Sequence, residues 1–156
     1  MKLLLQRVSR ASVSVGGETV GAVGPGYMAL VGCRSGDTPE DADRLAVRAA
    51  ALRVFEDAEG RMNRSVLDVG GSVLAISQFT LYADCRRGNR PSFTGAGDPS
   101  AANELYEYYV KLLRETHHIA DVQTGEFGAH MKVELLNDGP VTILLDSEEL
   151  ERPRRA

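Results

Sequence analysis

The chain has 156 residues, of which 43% are hydrophobic and 26% charged, with a net charge of −4 and three histidines. This balance fits a single globular domain with a core of its own and excludes a disordered segment. No apolar run is long enough to span a bilayer. An acidic total charge also argues against a general nucleic-acid coat, whose affinity would come from many phosphate contacts, but leaves room for recognition of one RNA end by a local basic patch.

Leu3-Leu4-Leu5 is cut off at once by Gln6-Arg7, which is no signal peptide, so a cytoplasmic protein is expected. Val8, Ala11, Val13 and Val15 alternate with polar neighbours and predict a strand, which Gly16-Gly17 turns into a second around Thr19–Val23. A "GPG" turn at 24–26 leads to a buried strand over Tyr27–Cys33. Thr38-Pro39-Glu40-Asp41 opens a helix, and the spacing of Ala42, Leu45, Ala46, Ala49 and Leu52 carries it toward Val54. "DAEGRMN" at 57–63 reads as a turn-rich connection.

Ser72–Tyr82, "SVLAISQFTLY", predicts a strand, and the long polar loop that follows it is of a length usually kept for function. Pro99 starts a second helix with Ala102, Leu105, Tyr106, Tyr109, Leu112 and Leu113 on its packing stripe. The last third, Val122–Asp146, reads as strand again, with Gly139-Pro140 at the tip of a hydrophobic hairpin, and "ERPRRA" as a frayed end. Strands lead and dominate, so the expected fold is α+β: a barrel-like, two-layer β structure with two helices on one side, in a single domain. Exposed sheet edges make a homodimer plausible.

Candidate chemistry concentrates in "SQFTL" at 77–81, where polar side chains sit in an otherwise apolar strand. Thr80 could act as a nucleophile only with a base in reach, Gln78 could orient a substrate, and a backbone N–H near Phe79 could stabilise an oxyanion. The residues alone do not demand these roles, and an edge strand with no site explains them as well. Arg86, Arg87 and Arg90 form one basic cluster, with Arg7 and Arg10 near another turn; solvated loop charge and RNA binding both fit them. Cys33 and Cys85 share no motif, and His117, His118 and His130 form no ligand pattern, so neither a metal nor a cofactor is expected.

"SQFTLYAD", "GNRPSF" and "NDGPVT" together closely resemble the D-aminoacyl-tRNA deacylase family, as do "QRVSRASVSV", the "GPG" turn, "VFEDAEGRMN" and "TGEFGAHM". The resemblance runs in order over residues 1–147 and leaves a polar tail at 148–156. It implies a homodimer in which the cis Gly139-Pro140 of one subunit faces Ser77, Gln78, Phe79 and Thr80 of the other. Backbone carbonyls held against the α-carbon would accept hydrogen and exclude a side chain, rejecting L-aminoacyl groups by clash and letting glycyl-tRNA(Ala) pass. It further implies ester cleavage by water, assisted by the 2′-OH of the terminal adenosine, with the Phe79 N–H as oxyanion donor, Thr80 positioning the ester or water, and Ser77 and Gln78 holding the substrate. A nucleophilic Thr80 is the rival route. Ala102, Phe127 and Met131 match the family's pocket wall, though ordinary core packing fits them equally. Arg7, Arg86, Arg87 and Arg90 are the candidate contacts to the tRNA 3′ end. His130 and Cys85 depart from the family pattern, which usually has an acid and a threonine there. A binding module for RNA ends, a structural dimer and a broader esterase are the competing readings.

Overall fold

The computed structural model describes residues 1–155. The N-terminal alternation forms one long strand, β1 (Lys2–Val15), followed by β2 (Glu18–Val23) and β3 (Gly26–Gly32). β1 pairs antiparallel with β3 through Lys2–Val8 and with β2 through Ala11–Val15. Helix α1 (Pro39–Ala51) starts where the Thr38 N–H donates to the Asp41 carboxylate (2.8 Å) and the proline at its first position has no N–H to leave unpaired. A small hairpin, β4 (Phe55–Glu56) and β5 (Met62–Arg64), leads to β6 (Ser72–Ser77), which lies parallel to β3. Helix α2 (Pro99–Lys111) is capped by Asp98 and widens into a π turn at Leu112–Thr116 before β7 (Val122–Thr124) joins β6 in parallel. β8 (Lys132–Asp146) runs antiparallel along the remaining side of β1, and a short α3 (Ser147–Glu151) follows it.

The sheet, ordered β2-β1-β3-β6-β7 with β8 also on β1, curls until β2 approaches β7. Glycine permits that approach: a Cβ on Gly21 would lie 2.6 Å from the Thr124 carbonyl oxygen. The result is the expected α+β, barrel-like domain. Alternation divides its apolar residues between two cores. Tyr27, Ala29 and Val31 of β3 and Val73 and Ala75 of β6 face α1 and α2, while Met28, Leu74 and Ile76 fill the barrel interior. A parallel pair buried on both faces accounts for the nearly continuous apolar runs in these strands. Along β1, Leu3 and Leu5 face the helices, but Ala11 and Val13, of the same parity, face the barrel interior. A register shift between Val8 and Arg10 inserts the extra residue that reverses the faces.

Four expectations change. The strand starting at Ser72 stops at Ser77, and Phe79–Tyr82 is a turn of 3₁₀ helix. The terminal hairpin does not exist: both apolar runs belong to β8, because each finds its partner on the same long β1. α1 ends at Ala51, before Val54. A third helix forms in the segment read as tail: buried Ser147 accepts a hydrogen bond from the Met1 amino group, and Glu151 pairs with Arg44 of α1. The polar tail is described through Arg155; Ala156 lies outside the described residues.

The β3–β6 junction admits no side chain at Gly26, which has φ +152° and lies so close to Ser72 that a Cβ would sit 1.8 Å from its carbonyl oxygen. Gly26→Ala is expected to lower the unfolding free energy by on the order of 3 kcal/mol, read as a fall in the urea midpoint. An unchanged midpoint would contradict this packing.

Candidate functional site

β6 ends because Gln78 leaves the extended path (φ −145°, ψ 83°), although its N–H still donates to the Val31 carbonyl at 2.7 Å. The chain then tightens into the 3₁₀ turn, whose first N–H groups, those of Phe79 and Thr80, have no carbonyl within the turn to bond. Beside this turn lies a cleft of about 420 Å³. Ser77, Gln78 and Phe79 form one wall, Ala102 and Tyr106 of α2 another, and Phe127 and Phe93 complete it. Five of the residues singled out in the sequence, Ser77, Gln78, Phe79, Ala102 and Phe127, therefore meet in one place.

The cleft lining contains no Asp, Glu, His, Lys or Arg. Its two other titratable groups are held neutral. Burial pushes the Cys33 thiol up to about 11, with the Asp37 carboxylate adding to the effect, so it is no thiolate nucleophile near neutral pH. Burial likewise pushes the Tyr106 phenol up to about 12, and its hydroxyl donates to the Ala75 carbonyl at 2.6 Å. Thr80 is exposed beside the cleft and accepts a hydrogen bond from the Gln78 side-chain amide. Sequence reasoning missed Cys33, Tyr106 and Phe93 as wall residues. Tyr106 lay on the α2 packing stripe and Phe93 in the loop marked as functional, but nothing in the sequence brings either toward Ser77.

Arg86, Arg87 and Arg90 are all exposed on that loop. Arg86 grips Asp84 with two hydrogen bonds, 2.9 and 2.7 Å, and these hold the Asp84 carboxyl down at about 2. Asp84, Arg86, Arg87 and Ser92 line a second, polar cleft.

Two residues stand elsewhere than expected. Met131 packs in the barrel interior, its sulfur 2.5 Å from where a Cβ on Gly125 would be, and does not reach the cleft. Arg7 is only 7% exposed and is turned inward rather than toward an open RNA-binding surface. Its Nε donates to the Asp138 carbonyl (3.0 Å) and its Nη1 to the Val54 carbonyl (2.7 Å). The β-parity that buries Leu3 and Leu5 buries Arg7 too, and its charge is met by the Val54 carbonyl after α1 and by the carbonyl and carboxylate (3.9 Å) of Asp138 in the β8 segment opposite.

That segment explains "NDGPVT". Gln6 pairs with Thr142 and Val8 with Asn137, so residues 138–141 leave the β8 ladder opposite Arg7. Asn137 pinches the base of the excursion, accepting from the Val141 N–H (3.3 Å) and donating to the Thr142 hydroxyl (3.1 Å). Gly139-Pro140, joined by a cis peptide, forms the exposed tip. Gly139 has φ +132°, and a Cβ there would meet Arg7 Nη2 at 3.1 Å. No residue of 138–141 lines the cleft of its own chain.

A family described as D-Tyr-tRNA(Tyr) deacylase matches residues 4–146. A D-aminoacyl-tRNA deacylase of Symbiobacterium thermophilum is 56% identical over 96% of this chain and 97% of its own. One of Thermotoga petrophila is 55% identical over 96% of this chain and 99% of its own. Among solved structures, one titled c-Myc DNA Unwinding Element Binding Protein superposes with a TM-score of 0.89 at 41% identity, covering 94% of this chain and 98% of that one.

Replacing Arg7 leaves the Val54 and Asp138 carbonyls without their donor. Arg7→Met is expected to destabilise the fold by roughly 2–4 kcal/mol and to speed amide hydrogen exchange at Val141 and Thr142. Exchange unchanged there would mean that the excursion holds its shape without the guanidinium.

Proposed function

This chain belongs to the D-Tyr-tRNA(Tyr) deacylase family, and we propose that, as a hydrolase of that family, it cleaves the ester joining a D-amino acid to the 3′ end of tRNA, releasing free D-amino acid and tRNA. The observation that carries the mechanism is a cleft lined by no Asp, Glu, His, Lys or Arg, with its thiol and phenol held neutral. An ester must be attacked there with no protein base in the wall, so the attacking group draws its activation from the substrate. Water adds to the ester carbonyl while the 2′-OH of the terminal adenosine assists its deprotonation. The oxyanion forms at the unpaired Phe79 N–H, and collapse expels the ribose 3′-oxygen, which takes up the proton. Gln78 and Ser77 hold the adenosine and ester, and Thr80, fixed by the Gln78 amide, positions the ester or the water. Thr80 as nucleophile lacks a base to activate it.

Chirality is read by the Gly139-Pro140 tip. Pinned by Arg7 and Asn137, it is exposed and does not line its own cleft, and β8 leaves Leu136 (51% exposed) and Leu144 (55%) uncovered. These features support a homodimer in which each tip completes the partner's cleft. A rigid backbone wall accepts the α-hydrogen of a D-aminoacyl group and clashes with an L side chain, so many D-amino acids are accepted and glycyl-tRNA(Ala) is also cleaved. Arg86, Arg87 and Arg90 contact the tRNA 3′ end. The catalytic domain spans residues 1–147, with 148–156 appended, and the substrate places the activity in the cytoplasm.

D-tyrosyl-tRNA and L-tyrosyl-tRNA give the test. The D ester is expected to disappear while the L ester persists, and a D substrate ending in 2′-deoxyadenosine is expected to react about 100-fold more slowly or worse. Equal loss of D and L esters would refute the filter. An unaffected deoxy substrate together with an inactive Thr80→Val would transfer the attack to Thr80.

A further inference from the structure

Two exposed aromatic rings stand where the apolar cleft meets the polar one. Phe79 is 56% and Phe93 38% exposed, and their rings pack edge to face with centroids 5.1 Å apart. Both border the apolar cleft, whereas Ser92, the residue before Phe93, borders the polar cleft with Arg86 and Arg87. The backbone pairing of Asp84 with Ser92, 2.7 and 2.9 Å, ties this junction together. A large aromatic pair left this open to water at a concave site marks a surface that a ligand can cover. Among the described residues Arg87 forms no ion pair, unlike Arg86, which is neutralised by Asp84. The chain as a whole carries −4, so positive charge beside these rings is a local feature.

Aromatic faces next to a cation match single-stranded RNA, whose bases stack on such rings while its phosphates meet the charge. Resting on the deacylase reading, in which the terminal adenosine occupies the apolar cleft, we propose that Phe79 and Phe93 form a stacking platform for the nucleotide immediately before that adenosine, with Arg87 on the connecting phosphate. The site thus extends beyond the aminoacyl-adenosine to a second nucleotide. The groups adjoin as the substrate requires: the cleft takes the aminoacyl-adenosine, the rings on its rim take the preceding base, and Arg87 in the adjoining polar cleft faces the phosphate that links the two nucleotides. Because every base has a face to stack, the platform reads the presence of a nucleotide and not its identity.

The experiment compares kcat/KM for D-tyrosyl-adenosine and for D-tyrosyl-cytidylyl-adenosine, in the wild type and in Phe93→Leu, Phe93→Tyr and Arg87→Gln. The wild type is expected to prefer the dinucleotide. Phe93→Leu is expected to shrink that preference about tenfold, Phe93→Tyr to retain it, and Arg87→Gln to flatten the slope of log kcat/KM against log salt for the dinucleotide by about 0.7. No preference in the wild type, or a Phe93→Leu loss equal on both substrates, overturns the platform while leaving the deacylase reading intact. If the wild type cleaves neither substrate nor D-tyrosyl-tRNA, the deacylase reading falls and the platform falls with it.

Discussion

A single buried guanidinium organises the segment that carries Gly139-Pro140. Arg7 lies on the helix-facing side of β1, where its neighbours of equal parity are leucines, and its charge is met by the carbonyls of Val54 and Asp138. The first anchors the segment leaving α1; the second holds the chain as it departs from β8. A strand that loses its ladder for the stretch 138–141 would be expected to fray, since those backbone groups lack strand partners. Here the Arg7 contact inside and the Asn137–Thr142 pinch at the base give the excursion one shape. The face reversal of β1 beyond Val8 belongs to the same arrangement, because it lets one strand serve the helical core with its first half and the barrel core with its second.

The cleft follows from a different constraint. Parallel strands β3 and β6 are buried on both faces, so polar side chains can enter only where the strands end. Ser77 and Gln78 stand at that end, and the 3₁₀ turn after them presents N–H groups that no carbonyl of the turn can take. α2 closes the other side with small and aromatic residues and contributes no charge. A site built this way offers backbone dipoles to developing negative charge but holds no carboxylate, imidazole or amine as proton acceptor. The proposed reliance on the substrate's own hydroxyl is the chemical counterpart of that construction.

Much of this was legible in the sequence, and the misreadings share a cause. Period-two alternation marks β1, the Gly16-Gly17 and GPG turns with the apolar run after them mark β2 and β3, and the capping residues Thr38 and Pro39 and the proline at 99 mark both long helices. Polar residues interrupting an apolar run single out Ser77 and Gln78, which the fold places in the wall of the cleft. Alternation, however, cannot reveal that β6 ends at Ser77, since the next residues keep β-like composition while Gln78 changes its backbone angles. Nor can it distinguish a hairpin from one strand with an excursion: both give two apolar runs around Gly139-Pro140, and only the length of β1 opposite decides. Charge is usually exposed, so the sequence alone suggests a surface cation at Arg7; its hydrogen-bond acceptors are backbone carbonyls, which leave no trace in the sequence, and the Asp138 carboxylate near it is 131 residues away along the chain. Met131 sits two residues from an exposed glycine turn, and local pattern does not say which of two cores receives it.

Whether, as proposed, the tip of one subunit filters substrates in the cleft of the other is decided by a mixed dimer. One subunit carries Pro140→Gly with an intact cleft; its partner carries Gln78→Ala and Thr80→Ala with an intact tip. The account predicts that Pro140→Gly homodimers cleave L-tyrosyl-tRNA, whereas the purified mixed dimer cleaves only the D ester, because its single working cleft faces an intact tip. A mixed dimer that cleaves the L ester at half the rate of the Pro140→Gly homodimer would contradict it, and would place the tip's action within its own subunit.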